Sequence, residues 1–227
     1  MFWFAKSVVL RAQGFESLLL RHFYIDMQLI YKKFIEYSKK ISAPEFIEAF
    51  KGIQGDVHQT AKKSGWWEKE RNNGEAIALM HSEISEAIEG WTKQDDKVPE
   101  FKGSEAELAD CVIRIMDMAE ARDWNVADYI NEDQTTPMLF AMEQHGSGQH
   151  TSIYPALVNA HTSLSNALEA LRKPKQDMRA EVSEALADCV AWIFMLALHI
   201  DLKVGEALCA KAEMNKTREY KHGGKAF

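Results

Sequence analysis

A five-residue word occurs twice in this chain. Leu108-Ala-Asp-Cys-Val112 returns as Leu186-Ala-Asp-Cys-Val190, 78 positions later. A second match precedes it in each copy: Ser85-Glu-Ala-Ile-Glu89 against Ser165-Asn-Ala-Leu-Glu169, with His81 against His161, both 80 positions apart. Self-similarity at a near-constant offset marks a duplicated supersecondary unit. The apolar residues in both copies recur at helical spacing, so the unit is a helical hairpin. The fold class expected is all-α: a helical bundle built from two repeated hairpins, a pseudo-dimer fused in one chain.

Composition agrees. Five prolines and 12 glycines in 227 residues leave few breaks, and 46% apolar content supports a substantial core. A net charge of −7 without a long basic run argues against a nucleic-acid partner. Cys111, Cys189 and Cys209 all lie in apolar helical patterns, which suits a reducing, cytoplasmic setting. The apolar N-terminus is interrupted by Lys6, Arg11, Glu16 and Arg21 before about 18–20 apolar residues accumulate, so no membrane partner is expected. It also lacks the small-residue cleavage site of a signal peptide.

The chain divides into an N-terminal helical extension (1–60), a first hairpin (61–130), a polar linker (131–152) and a second hairpin with a basic tail (153–227). Periodicity predicts helices over 15–40, from Pro44 to near Ser64, and over 75–92, 104–122, 153–172, 176–200 and 203–218, with a short one around 137–143 in the linker.

Two acidic pairs mark the first hairpin, Glu83/Glu86 and Glu107/Asp110, each spaced i, i+3 and so on one helical face. With Glu107 at 0° and about 100° per residue, Glu107, Asp110, Arg114 and Asp117 form one stripe between about 280° and 360°. Nearly all of the remaining circumference is apolar, as in a buried helix. The stripe therefore faces water or a buried ionic site. Packed side by side, the two helices can bring four carboxylates together, and such a cluster calls for a hard cation such as Mg²⁺. Ordinary roles compete: Ser104 and Glu107 fit a capping box, and Asp110 with Arg114 fits an i, i+4 ion pair. The second copy weighs against them. There Ser163, Asn166, Ala185, Trp192 and Met195 replace Glu83, Glu86, Glu107, Arg114 and Asp117, and only Asp188 keeps its carboxylate. Positions that accept Trp and Met are covered in that copy, and by pseudo-symmetry the acidic stripe of the first copy is covered too.

The chain ends in a concentration of cations. Lys211, Asn215 and Arg218 share one helical face, and Lys225 follows Gly223-Gly224. These side chains can hold phosphate oxygens opposite an acid-bound metal, or simply favour a helix C-terminus.

At these residues the chain resembles the MazG-like family of all-α nucleoside triphosphate pyrophosphohydrolases. The matching segments are Gly65-Trp-Trp-Glu68, Gly74 to Glu89, Glu107 to Asp117, and the ending from Lys211 to Lys225; the acidic pairs fit that family's ExxE…ExxD signature. The resemblance implies Mg²⁺, with Mn²⁺ as an alternative, bound by Glu83, Glu86, Glu107 and Asp110. It implies an enzyme that hydrolyses a nucleoside triphosphate to the monophosphate and pyrophosphate, and assembly as a homo-oligomer, a dimer. On this reading the same four carboxylates are catalytic and Asp117 is a fifth metal ligand. Lys211, Asn215, Arg218 and Lys225 hold phosphates, and Trp66 or Trp67 stacks on the base. The tail follows the second, degenerate hairpin, which leaves open whether it completes the site within one chain or between two. The rival readings are a dUTP- or dCTP-directed or phosphoribosyl-ATP pyrophosphohydrolase and, from another class, an inactive nucleotide-binding or helical dimerisation module.

Overall fold

The computed structural model describes residues 27–130, 153–173, 176–220 and 223. The apolar N-terminal stretch, the short helix expected around 137–143 and Lys225 lie outside the described residues. Among the described residues seven α-helices follow one another: α1 (27–37), α2 (Pro44–Lys63), α3 (Asn73–Glu89), α4 (Gly103–Arg122), α5 (Tyr154–Arg172), α6 (Met178–Ile200) and α7 (Val204–Asn215). Short 3₁₀ turns, Gly90–Thr92 and Val126–Tyr129, extend α3 and follow α4. No strand occurs among the described residues, so the chain is all-α.

The boundaries follow from local chemistry. Pro44 starts α2, where its missing N–H costs nothing. The Asn72 side chain caps α3 by accepting from the backbone N–H of Gly74 and Glu75. Asp123 and Asp201 stop α4 and α6 in the left-handed region, with φ of 54° and 56°. Asp tolerates that conformation better than most residues. These two stops are 78 positions apart, the offset of the repeated word.

α3 packs on α4, and α5 on α6. The first of these hairpins closes through two glycines. A Cβ at Gly90 would lie 2.8 Å from the carbonyl carbon of Gly103, and one at Gly103 would lie 2.9 Å from the Cα of Gly90. Backbone thus passes over backbone where α3 ends and α4 begins, which only glycine permits. The hairpins meet along α3 and α5, where residues at equivalent repeat positions face each other. His81 and His161 have Nδ1 atoms 2.7 Å apart. Their ring centroids are 5.0 Å apart with planes within 8°, so the rings lie edge to edge in nearly one plane, as a linear N–H···N bond requires. Cys111 and Cys189, the equivalent cysteines of the two copies, are both fully buried.

One core runs through all of this. Phe34 of α1, Phe46 of α2 and Phe194 of α6 pack at centroid separations of 4.8–5.8 Å, stacked and edge-on. Residues 27–60 are therefore part of the main body. α6 is long and apolar enough to cross a membrane by composition; here Leu186, Val190 and Phe194 are buried in the core. α7 packs on α4, and the chain beyond it turns back along α2. Lys216 pairs with Asp56 at 2.8 Å, and Asp56 also accepts from the Tyr31 hydroxyl. Further on, Tyr220 hydrogen-bonds Glu68 and lays its ring where a Cβ on Gly65 would be; the φ of 85° at Gly65 also favours glycine.

Candidate functional site

A pocket of about 250 Å³ opens where α2, α3, α4, the end of α7 and the residues just after it converge. Its wall includes Glu83, Glu86, Glu107 and Asp110 together with Asn215 and Arg218. The tail and the acidic hairpin therefore share one pocket within a single chain.

The carboxylates are brought together by the Gly90–Gly103 crossing and by the way α4 starts. α4 begins two residues earlier than a Ser104 cap requires: Lys102 is the N-cap, and Glu105 takes the place expected for Glu107, its Oε2 accepting from the Lys102 backbone N–H at 2.8 Å. Its Oε1 accepts from the Lys203 N–H at 2.9 Å, which also ties down the start of α7. Glu107 is thereby released from the capping role and reaches the pocket. Glu83, Glu86 and Glu107 each place an oxygen within 4.8 Å of the others. Glu83 is buried at 6% exposure, Glu107 is half-buried, and Glu86 is exposed at the mouth. Burial, a hydrogen bond with Glu83 and the charges of Asp110 and Glu83 push the Glu107 carboxyl up to about 8, against the pull of Lys211. Three carboxyl groups this close, one of them that reluctant to ionise, fit a hard divalent cation, which would favour the ionised form.

The ion pairs are not those of simple helical spacing. Arg114 reaches across the hairpin, its Nε donating to Glu83 at 2.6 Å. Asp110 accepts instead from Lys211 Nζ at 2.8 Å, and Asp95 lies 3.4 Å from the same ammonium. Lys211, expected to hold phosphate, is drawn inward and has 0% exposure. Burial opposes its charge, but Asp110, Glu107 and Asp95 more than offset this and hold its pKa above the usual lysine value.

Asp117 lines the pocket but is committed to the protein. Its Oδ1 accepts from the Trp67 indole N–H at 2.8 Å and lies 2.8 Å from His58 Nδ1. Arg71 stands 3.9 Å from its other oxygen. The Arg71 guanidinium also sits over both tryptophan rings, 5.7 Å from Trp66 and 5.6 Å from Trp67. Trp66 lines the pocket, while Trp67 is bound into the Asp117 cluster. Arg218 is half-buried, touching Asn215 at 3.3 Å, and burial lowers its pKa.

Sequence reasoning missed Lys97, Arg71 and the α2 wall of Val57, Thr60 and Ala61, all of which line the pocket. A signal for Lys97 existed: Asp95-x-Lys97-Val98 is an Asp-capped turn inside the hairpin connection. Asp95 Oδ1 accepts from the N–H groups of Lys97 and Val98, both at 2.8 Å.

The matching place in the second hairpin is different. Asn166, Ala185 and Asp188 line a more open hollow, and buried Ser163 donates to the Asn159 carbonyl in its own helix. Burial and neighbouring Glu184 raise Asp188 to about 6. Among the described residues, only the first hairpin brings three carboxylates into metal-binding range. Compared with protein-family models, with curated proteins and with solved structures, the chain matches none.

Proposed function

We propose that this protein is a Mg²⁺-dependent nucleoside triphosphate pyrophosphohydrolase, a fused pseudo-dimer whose first hairpin carries the chemistry and whose second serves the fold. The observation that carries the reading is the meeting of Glu83, Glu86 and Glu107 in a pocket that Asn215, Arg218 and Trp66 also line. Carboxylates on one side and guanidinium and amide donors on the other suit a ligand that is a polyanion bridged by cations. The sequence resemblance to the MazG-like family points the same way.

Glu83, Glu86 and Glu107 would hold the ion, with Asp110 contributing the oxygen not nearest Lys211. Mg²⁺, or Mn²⁺ in its place, supplies charge neutralisation at phosphate oxygens and a lowered pKa for water. The protein's own groups do the rest. Glu86, the exposed carboxylate, accepts the proton of the attacking water. Arg218 and Asn215 hold phosphate oxygens, and Trp66 offers its ring to the base. Water oxygen bonds to the α-phosphorus as the α–β bridging bond breaks, leaving a monophosphate and pyrophosphate.

Hydrolysis in ¹⁸O-labelled water tests this reading. The label is expected in the nucleoside monophosphate, with unlabelled pyrophosphate as the other product. Label in pyrophosphate would move the attack to the β-phosphorus, and no turnover of any common NTP or dNTP would sink the enzyme reading.

A further inference from the structure

The buried lysine of α7 does something the proposed function does not yet use. Lys211 is a fully buried cation between carboxylates from two different elements, Asp110 of α4 and Asp95 of the α3–α4 connection. Its side chain is 1% exposed, so a phosphate could reach it only by rearranging the core around it. A buried ion pair is weak evidence of stability, because desolvating both charges offsets most of their attraction. Its placement is more informative.

Lys211 Nζ stands 2.8 Å from Oδ2 of Asp110, which leaves that carboxylate one oxygen, Oδ1, to offer the pocket. Carboxylates that bind metals are commonly oriented by such a partner. The same ammonium approaches Oδ2 of Asp95, while Oδ1 of Asp95 holds the N–H groups of Lys97 and Val98. One cation thus ties α7 both to the acidic cluster and to the turn that carries Lys97. Lys97 is exposed, lines the pocket, and makes no side-chain ion pair among the described residues. Arg114 is bound to Glu83, and Arg71 to Asp117 and the tryptophans. Lys97 and Arg218 are therefore the pocket cations not already paired with a carboxylate among the described residues.

We propose that Lys211 is a positioning residue and Lys97 the phosphate-binding lysine: Lys211 holds Asp110 so that one oxygen faces the metal and, through Asp95, holds the turn that brings Lys97 to the triphosphate. This rests on the pyrophosphohydrolase reading for its ligand but not for its geometry. It also accounts for why the first copy's hairpin connection faces the tail.

The test compares the wild type with Lys97→Met, Lys211→Met, Lys211→Arg and Asp95→Ala. Mn²⁺ binding is read by electron paramagnetic resonance without nucleotide, KM and kcat with the triphosphate the wild type turns over, and folding by circular dichroism. Lys97→Met is expected to raise KM about tenfold or more, the loss of a charge-assisted contact, with Mn²⁺ binding unchanged. Lys211→Met is expected to weaken Mn²⁺ binding about 10–100-fold and to raise KM, and Lys211→Arg to restore part of both. Asp95→Ala leaves the Lys211–Asp110 pair in place, so KM is expected to rise with Mn²⁺ binding intact. A folded Lys211→Met protein that binds Mn²⁺ like the wild type overturns the proposal. If Lys211→Met does not fold, Asp95→Ala decides, and an unchanged KM overturns it. If the wild type turns over nothing, the assigned activity has failed, and the Mn²⁺ comparison still decides the role of Lys211.

Discussion

Replacing Glu107 by glutamine is expected to abolish a proton that leaves the protein when Mg²⁺ binds. Burial, the hydrogen bond with Glu83 and the charges of Asp110 and Glu83 hold the Glu107 carboxyl up to about 8 without metal. A group with that pKa is roughly nine-tenths protonated at pH 7. A divalent ion among the carboxylates needs them ionised and displaces the proton. Mg²⁺ binding at pH 7 therefore releases roughly 0.9 proton per ion, and at pH 9 only about 0.1. Isothermal titration calorimetry in two buffers of different ionisation enthalpy reads that number. The metal-free protein carries the same signature in its stability. The unfolded carboxyl ionises near 4.5 and the folded one near 8, so Glu107's contribution is present in full below about pH 4.5 and is lost as pH rises to about 8. The metal-free melting temperature should fall across that window, and saturating Mg²⁺ should remove the slope. Glu107→Gln should show neither effect. Mg²⁺ binding at pH 7 without proton release would refute the placement of Glu107 at the cation.

Other expectations follow from single contacts. Gly90→Ala pushes a Cβ to 2.8 Å from the Gly103 backbone and should cost about 1–3 kcal/mol by urea denaturation; an unchanged midpoint would show that the helix crossing has slack. Phe194→Ala empties the centre of the aromatic cluster and should cost about 3–5 kcal/mol, with Mg²⁺ affinity unchanged in the protein that remains folded. Asp117→Asn should lower the melting temperature, because His58, Trp67 and Arg71 converge on that carboxylate, yet keep Mg²⁺ affinity within about twofold. A loss of Mg²⁺ affinity comparable to that of Asp110→Asn would return Asp117 to the ligand set.

The helices were legible because each copy of the repeat carries its own start and stop. The expected 104–122 and 176–200 meet Gly103–Arg122 and Met178–Ile200, both closed by an aspartate in the left-handed region. The covering expected for the acidic stripe, from the Trp and Met that replace it in the second copy, holds only at Asp117, which is buried like its counterpart Met195; Glu107, Asp110 and Arg114 are half-buried at the pocket. What was not legible depends on contacts between distant segments. On a helical wheel Lys211 shares a face with Asn215 and Arg218. Its burial comes from Asp95 and Asp110, 116 and 101 residues earlier. The capping box of α4 moved from Ser104/Glu107 to Lys102/Glu105 for a similar reason: Gly103 presses on Gly90, and the helix starts two residues sooner than a Ser104 cap would allow. The role of α2 was invisible, because its pocket residues Val57, Thr60 and Ala61 have no chemical signature of their own.

The most direct measurement is pyrophosphate release across the common NTPs and dNTPs, with and without Mg²⁺, by the wild type and by Glu83→Gln. Glu83 is the carboxylate that belongs both to the buried cluster and to the Arg114 pair, and the exchange nearly preserves its shape. The wild type is expected to release pyrophosphate from at least one triphosphate only when Mg²⁺ is present, and Glu83→Gln to lose more than about 100-fold of that activity. Equal release by the two proteins, or release that ignores Mg²⁺, would contradict the assignment of the acidic hairpin as the catalytic centre.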